Sequence, residues 1–414
     1  MRDPIYKTRP IEPNPARLGG KVVYEDIFLS EAFSNCYLIK TSEGLIQINA
    51  GMAIEAPVIK KNFDTFSADQ VAYLILTQGH VDHVGGVQFF RDHNPKMKVI
   101  AGSSNAEHQN YENRLSQFRA NRSAFAFTEK FLEIFKYYEE NNITDFPAQD
   151  APTPDILIED TFSFTLGKKK FEVYSLPGAE TNDSVIVWMP EEEICFTGNI
   201  FGCPFGHFPN LFTIRGDRYR DPLVVLEAVE FVKSLEPKII MYGHHDPVIG
   251  KQLIADELSA LGGAINFVHE KVVSGMNAGS TLPELMESIN LPAEIEVGEG
   301  YGKVSWSVKA IWEYYAGWFH HQSTTELYNI PRNAISDDLV RMIGTEAMEV
   351  KAKDNFTEGK YQEALHFLDI LRESGKLSAA GRSLYADILQ LLLKEADNFW
   401  LESWLKEEIN KLKR

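Results

Sequence analysis

Within "TQGHVDHVGG", residues 77–86, His80, Asp82 and His83 bring two imidazoles and a carboxylate together on one short loop. Neutral imidazole and carboxylate are ligand types for Zn²⁺, Fe and Mn. Gly85 and Gly86, just behind them, let a following helix approach closely. A lone His-x-Asp-His also fits an ordinary surface turn, so the pattern needs partners. Glu180, in "LPGAE", puts a carboxylate on a tight turn after an apolar run. His244 and His245, in "YGHHDP", stand at the end of another. The plain alternatives are a solvated turn acid for Glu180 and a buried, hydrogen-bonded imidazole for His244. Three such loops, about 100 and 65 residues apart, are able to converge on one rim and hold a cation.

Convergence of that kind needs strands that end on the same side. Residues 21–49 read as paired strands, "KVVYEDIFLS" and "NCYLIKTSEGLIQINAG", the latter folded about a Ser-Glu-Gly turn. Ala72–Leu76 reads as a buried strand entering the metal loop, and "MKVIAGSS" as another. Residues 105–145 have a helical pattern. Their Arg114, Arg119 and Arg122 belong either to a mobile wall that binds an organic anion or to an amphipathic helix covering a sheet. "FSFTLGKKKFEVYSLPG" reads as a hairpin, "SVIVWMPEEEICFTGNIF" as two strands, and "DPLVVLEAVEFVKSL" as an amphipathic helix before the strand "KIIMYG". The order implies two sheets packed face to face with helices outside. After residue 250 the pattern is almost wholly helical, with glycines closing helix pairs. Residues 335–414 are expected to carry self-association; a helical cap on the same chain is the alternative.

Composition narrows the function classes. The net charge of −18 and the lack of a Lys/Arg-rich run argue against nucleic acid. An anionic small molecule would need a local cationic pocket. No run of apolar residues is long enough to span a membrane. The polar, Pro-rich start lacks the apolar core of a signal peptide, so the expected location is cytoplasmic. Cys36, Cys195 and Cys203 read as small core hydrophobes in a reducing compartment.

The metal loop, "LPGAE", "ICFTGNIF" and "YGHHDPVIG" together resemble the metallo-β-lactamase fold. "NLFTIRGDRYRD", "EGYGKVSWSVKAIWEYYAGWFHHQSTTELYNIP" and the helical tail resemble its linear alkylsulfatase branch, from about residue 20 onward. The resemblance implies an α/β fold: an αββα sandwich followed by an all-α dimerisation domain. The expected organisation is a catalytic domain over 1–250, a helical connector contributing to the active site over 251–330, and a dimerisation domain over 331–414. The lipid-carrier-like third domain of that branch is not expected here. The resemblance further implies one metal on Gln78, His80 and Glu180 and another on Asp82, His83 and His244. The expected cofactor is zinc, one or two ions per chain, with Fe or Mn as alternatives. Asp82 is also a proton acceptor, and His245 is either a general acid or a group orienting His244. By the same resemblance Arg215, with Asn210, Thr213 and Tyr301, binds the sulfate of a substrate.

The sequence departs from the family pattern at three points. Gln78 replaces the first imidazole of the loop, "TGN" offers only Gly198 and Asn199 where a bridging acid belongs, and Asn49 stands where the fold often has Asp. His207 is a candidate to serve in place of Gln78. The expected function is metal-dependent hydrolysis of a small anionic ester, a sulfate ester first, by a homodimer. The alternatives are another reaction on the altered site (dehalogenation, other hydrolysis, Fe/Mn redox chemistry) or a degenerate metal-binding scaffold.

Overall fold

The computed structural model describes residues 3–413. Its first sheet holds β1 (Lys21–Tyr24), β2 (Ile27–Ser30), β3 (Cys36–Thr41), β4 (Gly44–Ile48), β5 (Val71–Ile75), β6 (Lys98–Gly102) and β7 (Ile156–Ile158), in sequence order. Pairing is antiparallel from β1 to β4 and parallel from β4 to β7. The second sheet runs β13 (Val248–Ile249), β12 (Ile239–Tyr242), β11 (Ile194–Gly198), β10 (Val185–Met189), β9 (Lys169–Ser175), β8 (Thr161–Leu166). Its one parallel pair is β11 with β12.

Side-chain alternation decides what lies between the sheets. Tyr37, Ile39, Ile46, Ile48 and Ile75 of the first sheet meet Val173, Val185, Val187, Phe196 and Met241 of the second. The intervening Leu38, Leu45 and Leu74 face outward, onto α1 (Ala56–Phe66), α3 (Val87–His93) and α5 (Ser116–Glu140) through Ile59, Phe63, Phe90 and Ile134. On the other side Ile186, Trp188, Cys195 and Ile240 pack on α6 (Pro222–Ser234) and α7 (Lys251–Ala278). The expected four-layer helix–sheet–sheet–helix order is therefore present. All three cysteines are free and buried. Among the described residues no helix is long and apolar enough to cross a membrane.

The chain divides into two compact units, one ending at Tyr314 and one beginning at Tyr315. The second unit is built from α10 (Ser336–Ile343), α11 (Thr345–Thr357), α12 (Tyr361–Glu373), α13 (Ala379–Glu395) and α14 (Phe399–Lys413), with α8 (Leu282–Ser288) and α9 (Val304–Ala316) preceding them in the chain. Val340, Met348, Leu368, Leu371, Ile388 and Ile409 form its core. Ser378 caps α13 by accepting from the Gly381 N–H.

Glu55, just before α1, is buried and ties three segments together. Its Oε1 accepts from the Ala16 and Phe33 N–H groups at 2.8 and 3.1 Å. Burial raises its carboxyl from the usual 4.5 to about 7. The folded chain therefore keeps a proton that the unfolded chain has released. The stability linked to this group is full below pH 4.5 and is lost as the pH rises through 7. The loss amounts to about 3 kcal/mol. Glu55→Gln should flatten the decline in melting temperature between about pH 5 and 8; an unchanged profile would rule the account out.

Candidate metal centre

β5 ends at Ile75, and Thr77–His80 lead into the one-turn helix α2 (Val81–Val84). Asn49, in the left-handed region at φ 61°, pins this entry. Its Oδ1 accepts from the Thr77 N–H at 2.9 Å and from Thr77 Oγ1 at 3.0 Å. The departure from Asp at this position thus keeps a structural role. The loop is joined to the Glu180 turn by Asp183, whose Oδ1 accepts from the Gly79 N–H at 3.1 Å and whose Oδ2 accepts from Asn105 at 2.7 Å. The Val185 N–H donates to the Thr77 carbonyl at 2.8 Å, which links the two sheets at the rim.

His83 is fully buried and its tautomer is set by its neighbours. Nδ1 faces Thr77 Oγ1 at 3.3 Å, and that hydroxyl donates onward to Asn49. Asn199 Nδ2 donates to Nε2 at 3.1 Å, so the ring's lone pair lies on Nε2. Ser34 Oγ lies 2.9 Å from the same nitrogen and donates to Asp82 Oδ2, itself 3.7 Å from Nε2. Burial alone would raise the Asp82 carboxyl, but His83, His80, His244 and the Ser34 hydroxyl outweigh it and hold it at about 2. Burial lowers His83, and takes His244 down to about 3. At neutral pH this set is a carboxylate beside neutral imidazoles, the protonation state a cation requires. His244 Nδ1 is buried with no hydrogen-bond partner. An orphaned imidazole nitrogen near a carboxylate fits a metal ion, and an ion on His83 Nε2 would displace the Asn199 N–H that now occupies its lone pair.

His244 meets Asp82 and His83 through charge interaction, while the acid–imidazole group whose ligand atoms lie within 4.8 Å of one another among the described residues is His80, His108 and Glu112. In the other expected set Gln78 and Glu180 both lie near His80. Gln78 Nε2 lies 2.9 Å from His80 Nδ1, and Glu180 Oε1 lies 4.0 Å from the same atom. Glu180 is already paired, however. Arg220 donates to its carbonyl at 2.8 Å and its Oε1 at 3.0 Å, and also to the Asn210 carbonyl. Burial raises the Glu180 carboxyl to about 7, with Arg220 opposing.

Gly198 and Asn199 differ in what they leave open. Gly198 has φ +55°, and a Cβ there would lie 2.4 Å from Thr77 Oγ1, so no acid fits at this position. Asn199 does point into the centre, with Oδ1 buried and unpartnered. Its amide would also strike any side chain at position 243, which explains Gly243.

Of the expected anion-binding residues, Arg215 and Tyr301 interact electrostatically with Glu180, and Tyr301 with Asp82. Arg215 Nε and Thr213 Oγ1 are buried donors without partners. The Arg215 charge acts on His80, Glu180, Asp217 and Tyr301. Asn210 is buried, and burial pushes the Tyr301 phenol well above its usual range. Arg122 donates to the Ile214 and Arg215 carbonyls, and Arg119 pairs with Glu112 and Asp217. Those two arginines of the helical wall are thus committed to the fold, with α4 (Asn105–Arg114) and α5 as its elements. His245 lies at φ 60°, 3.9 Å from Glu31, and burial takes its ring down to about 4. His207 Nδ1 accepts from the Gly300 N–H at 2.9 Å, so that nitrogen serves loop structure. Ser34, Asp183, Arg220 and His108 were not singled out as site residues by the sequence pattern. His108 is buried beside His80, with ring centroids 5.5 Å apart.

A family model described as the metallo-beta-lactamase superfamily matches residues 29–244, more than half of the chain. The chain belongs to the metallo-beta-lactamase superfamily. Residues 281–413 of this superfamily member match the alkyl sulfatase dimerisation model. It is 24% identical to a linear primary-alkylsulfatase from a Pseudomonas species, over 79% of this chain and 64% of that protein. It is 24% identical to the alkyl/aryl-sulfatase BDS1 of Saccharomyces cerevisiae, over 90% of this chain and 60% of that protein. The stereoselective inverting sec-alkylsulfatase Pisa1 from Pseudomonas has the same fold, with a TM-score of 0.81 at 20% identity, over 96% of this chain and 66% of that one. This chain therefore spans about two thirds of the length of the relatives it matches.

Proposed function

We propose that this metallo-β-lactamase-fold protein is a metal-dependent hydrolase of small anionic esters, alkyl sulfates first among them, acting as a homodimer through its C-terminal helices. The observation that carries the reading is the Asp82–His83–His244 group, a carboxylate held anionic beside imidazoles held neutral, next to unpartnered cationic and hydroxyl donors. Asp82, His83 and His244 would hold a zinc-class ion, and Gln78, His80 and Glu180 form the neighbouring ligand set. A bound ion of this kind brings the pKa of water to roughly 7 and polarises an ester oxygen.

The chain's own residues supply the rest. Arg215 and Thr213 present donors to an anion's oxygens, and Asn210 and Tyr301 complete that wall. Asp82 accepts from Ser34 and is aimed by it, and its low pKa keeps it a carboxylate, ready to ligate a cation, through neutral pH. His245, neutral at pH 7, offers one ring nitrogen as donor and the other as acceptor, and neither has a hydrogen-bond partner. The lost bridging charge at Asn199 leaves a less negative centre, which favours an anionic substrate.

The test is hydrolysis of short-chain alkyl sulfates by the full chain, with and without chelator. Turnover should vanish on chelation and return with Zn²⁺. Arg215→Ala should lower kcat/KM about 10²-fold, mostly through KM. Full turnover after removal of all bound metal would reject the proposal.

A further inference from the structure

α4 carries a group that the reaction above does not use. His108 Nε2 lies 3.7 Å from Glu112 Oε1, one helical turn away. One ring nitrogen of His80, one of His108 and a Glu112 oxygen all lie within 4.8 Å of one another. Both Nε2 atoms are buried and have no hydrogen-bond partner. Two orphaned imidazole nitrogens facing one carboxylate is a costly arrangement unless something occupies the space between them.

The His108 tautomer points the same way. Asn182 Nδ2 donates to Glu107, which turns its Oδ1 toward His108. His108 Nδ1 lies 2.9 Å from that oxygen and must be its N–H donor. The lone pair of His108 is therefore on Nε2, directed into the cluster. For His80 the deciding group is Gln78, whose Nε2 lies 2.9 Å from Nδ1 and there donates to it; a bound ion on Nε2 requires this amide turned over. An amide can present either end to a ring. With Oε1 toward the ring, Nδ1 carries the proton and the lone pair moves to Nε2. A histidine in place of Gln78 would not offer the same choice while ligating a metal. α4 is fixed against the loop by Gln109, which donates to the Gly79 carbonyl at 2.8 Å. Arg119 donates to Glu112 Oε1 and orients it; a carboxylate oxygen has a second lone pair for another partner.

We propose that His80, His108 and Glu112 form a binding site for a divalent ion of the zinc class, separate from the Asp82–His83–His244 centre. Two imidazoles and a carboxylate make a three-ligand set that leaves a position open. The site goes beyond the function proposed above and competes with the Gln78–His80–Glu180 set for the single lone pair of a neutral His80. Gln78 is then a positioning residue that selects the His80 tautomer.

Zinc stoichiometry of the chelator-stripped full chain, measured by elemental analysis after equilibration with Zn²⁺, decides the matter. His108→Asn should bind one ion per chain fewer than the natural sequence, and Asp82→Asn should retain that ion. An ion count unchanged in His108→Asn overturns the site. So does an Asp82→Asn chain that binds none, which would instead support the first centre alone. An ion lost only in His108→Asn upholds this site and removes metal from the function proposed above. Circular dichroism checks the fold of each variant. If His108→Asn fails to fold, Glu112→Gln becomes the deciding chain, with the same expected loss and the same overturning result.

Discussion

Arg220→Met should destabilise the N-terminal unit by about 3–5 kcal/mol, the cost of removing one partner from a buried ion pair. The Arg220 side chain is 6% exposed, and its partners Glu180 and Asp217 are 12% and 8% exposed. Its three nitrogens are spread over the Glu180 carbonyl, the Glu180 carboxylate and the Asn210 carbonyl. Methionine fills much of the volume but leaves all three acceptors without their donor. Glu180, already raised to about 7 by burial, would lose its main opposing charge and take up a proton at higher pH still. Asp217 would suffer less, because Arg119 remains 2.7 Å away. Urea unfolding at neutral pH measures the loss. A second change, Glu180→Gln, should restore only the part of it spent on protonating that carboxyl, because the missing donors stay missing. A loss below about 1 kcal/mol for Arg220→Met would mean that the pair is merely a surface-type contact.

The sequence made some of this readable and hid the rest, for physical reasons. His80, Asp82 and His83 are close in sequence and follow a strand, so their meeting needs only one loop. Glu180 and His244 were readable as strand-end residues because apolar runs mark the strands that deliver them. Arg220 was not: it shares "RGDRYRD" with Arg215 and Arg218, and nothing local says which guanidinium turns inward. Arg218 pairs with Glu107 at the surface, with both side chains nearly half exposed. Ser34 and Asp183 lie in loops whose register depends on pairing across the sheets, and single polar residues there leave no periodic trace. His108 had a signal. It stands four positions before Glu112 in a helical segment, a spacing that puts both on one face. That face is polar throughout, and the partner His80 comes from another layer, so spacing alone did not separate a ligand pair from a solvated one.

The altered ligands take on a meaning that the sequence could not supply. At Gly198 the backbone conformation and Thr77 exclude any side chain, so the missing acid is not a gap awaiting repair at that position. Asn199 occupies the inward direction instead and fixes the lone pair of His83 by donating to it. A carboxylate at 199 would accept where the amide donates, and His83 would have to turn its other tautomer inward or gain a proton. Gln78 does the corresponding work for His80. Both amides therefore govern tautomers of neighbouring imidazoles, which is consistent with a site rebuilt around fewer charges.

Asp82→Asn is expected to lower turnover about 10³-fold while leaving the melting temperature unchanged or higher. The fall follows from the several kcal/mol that a bound cation contributes to charge stabilisation, at about 1.4 kcal/mol per tenfold in rate. Asparagine keeps the shape and an oxygen able to accept from Ser34, so the hydrogen bond to that hydroxyl survives. It removes the one carboxylate in its three-ligand set, and with it the negative charge that would balance a bound cation. The cost of holding a buried carboxylate disappears at the same time, which is why the fold should not suffer. Loss of activity with retained stability separates a metal-site role from a structural one. Metal content, kcat and thermal melting of the same preparation give the answer together. Turnover within tenfold of the natural sequence would move the chemistry away from Asp82, whatever else the fold holds.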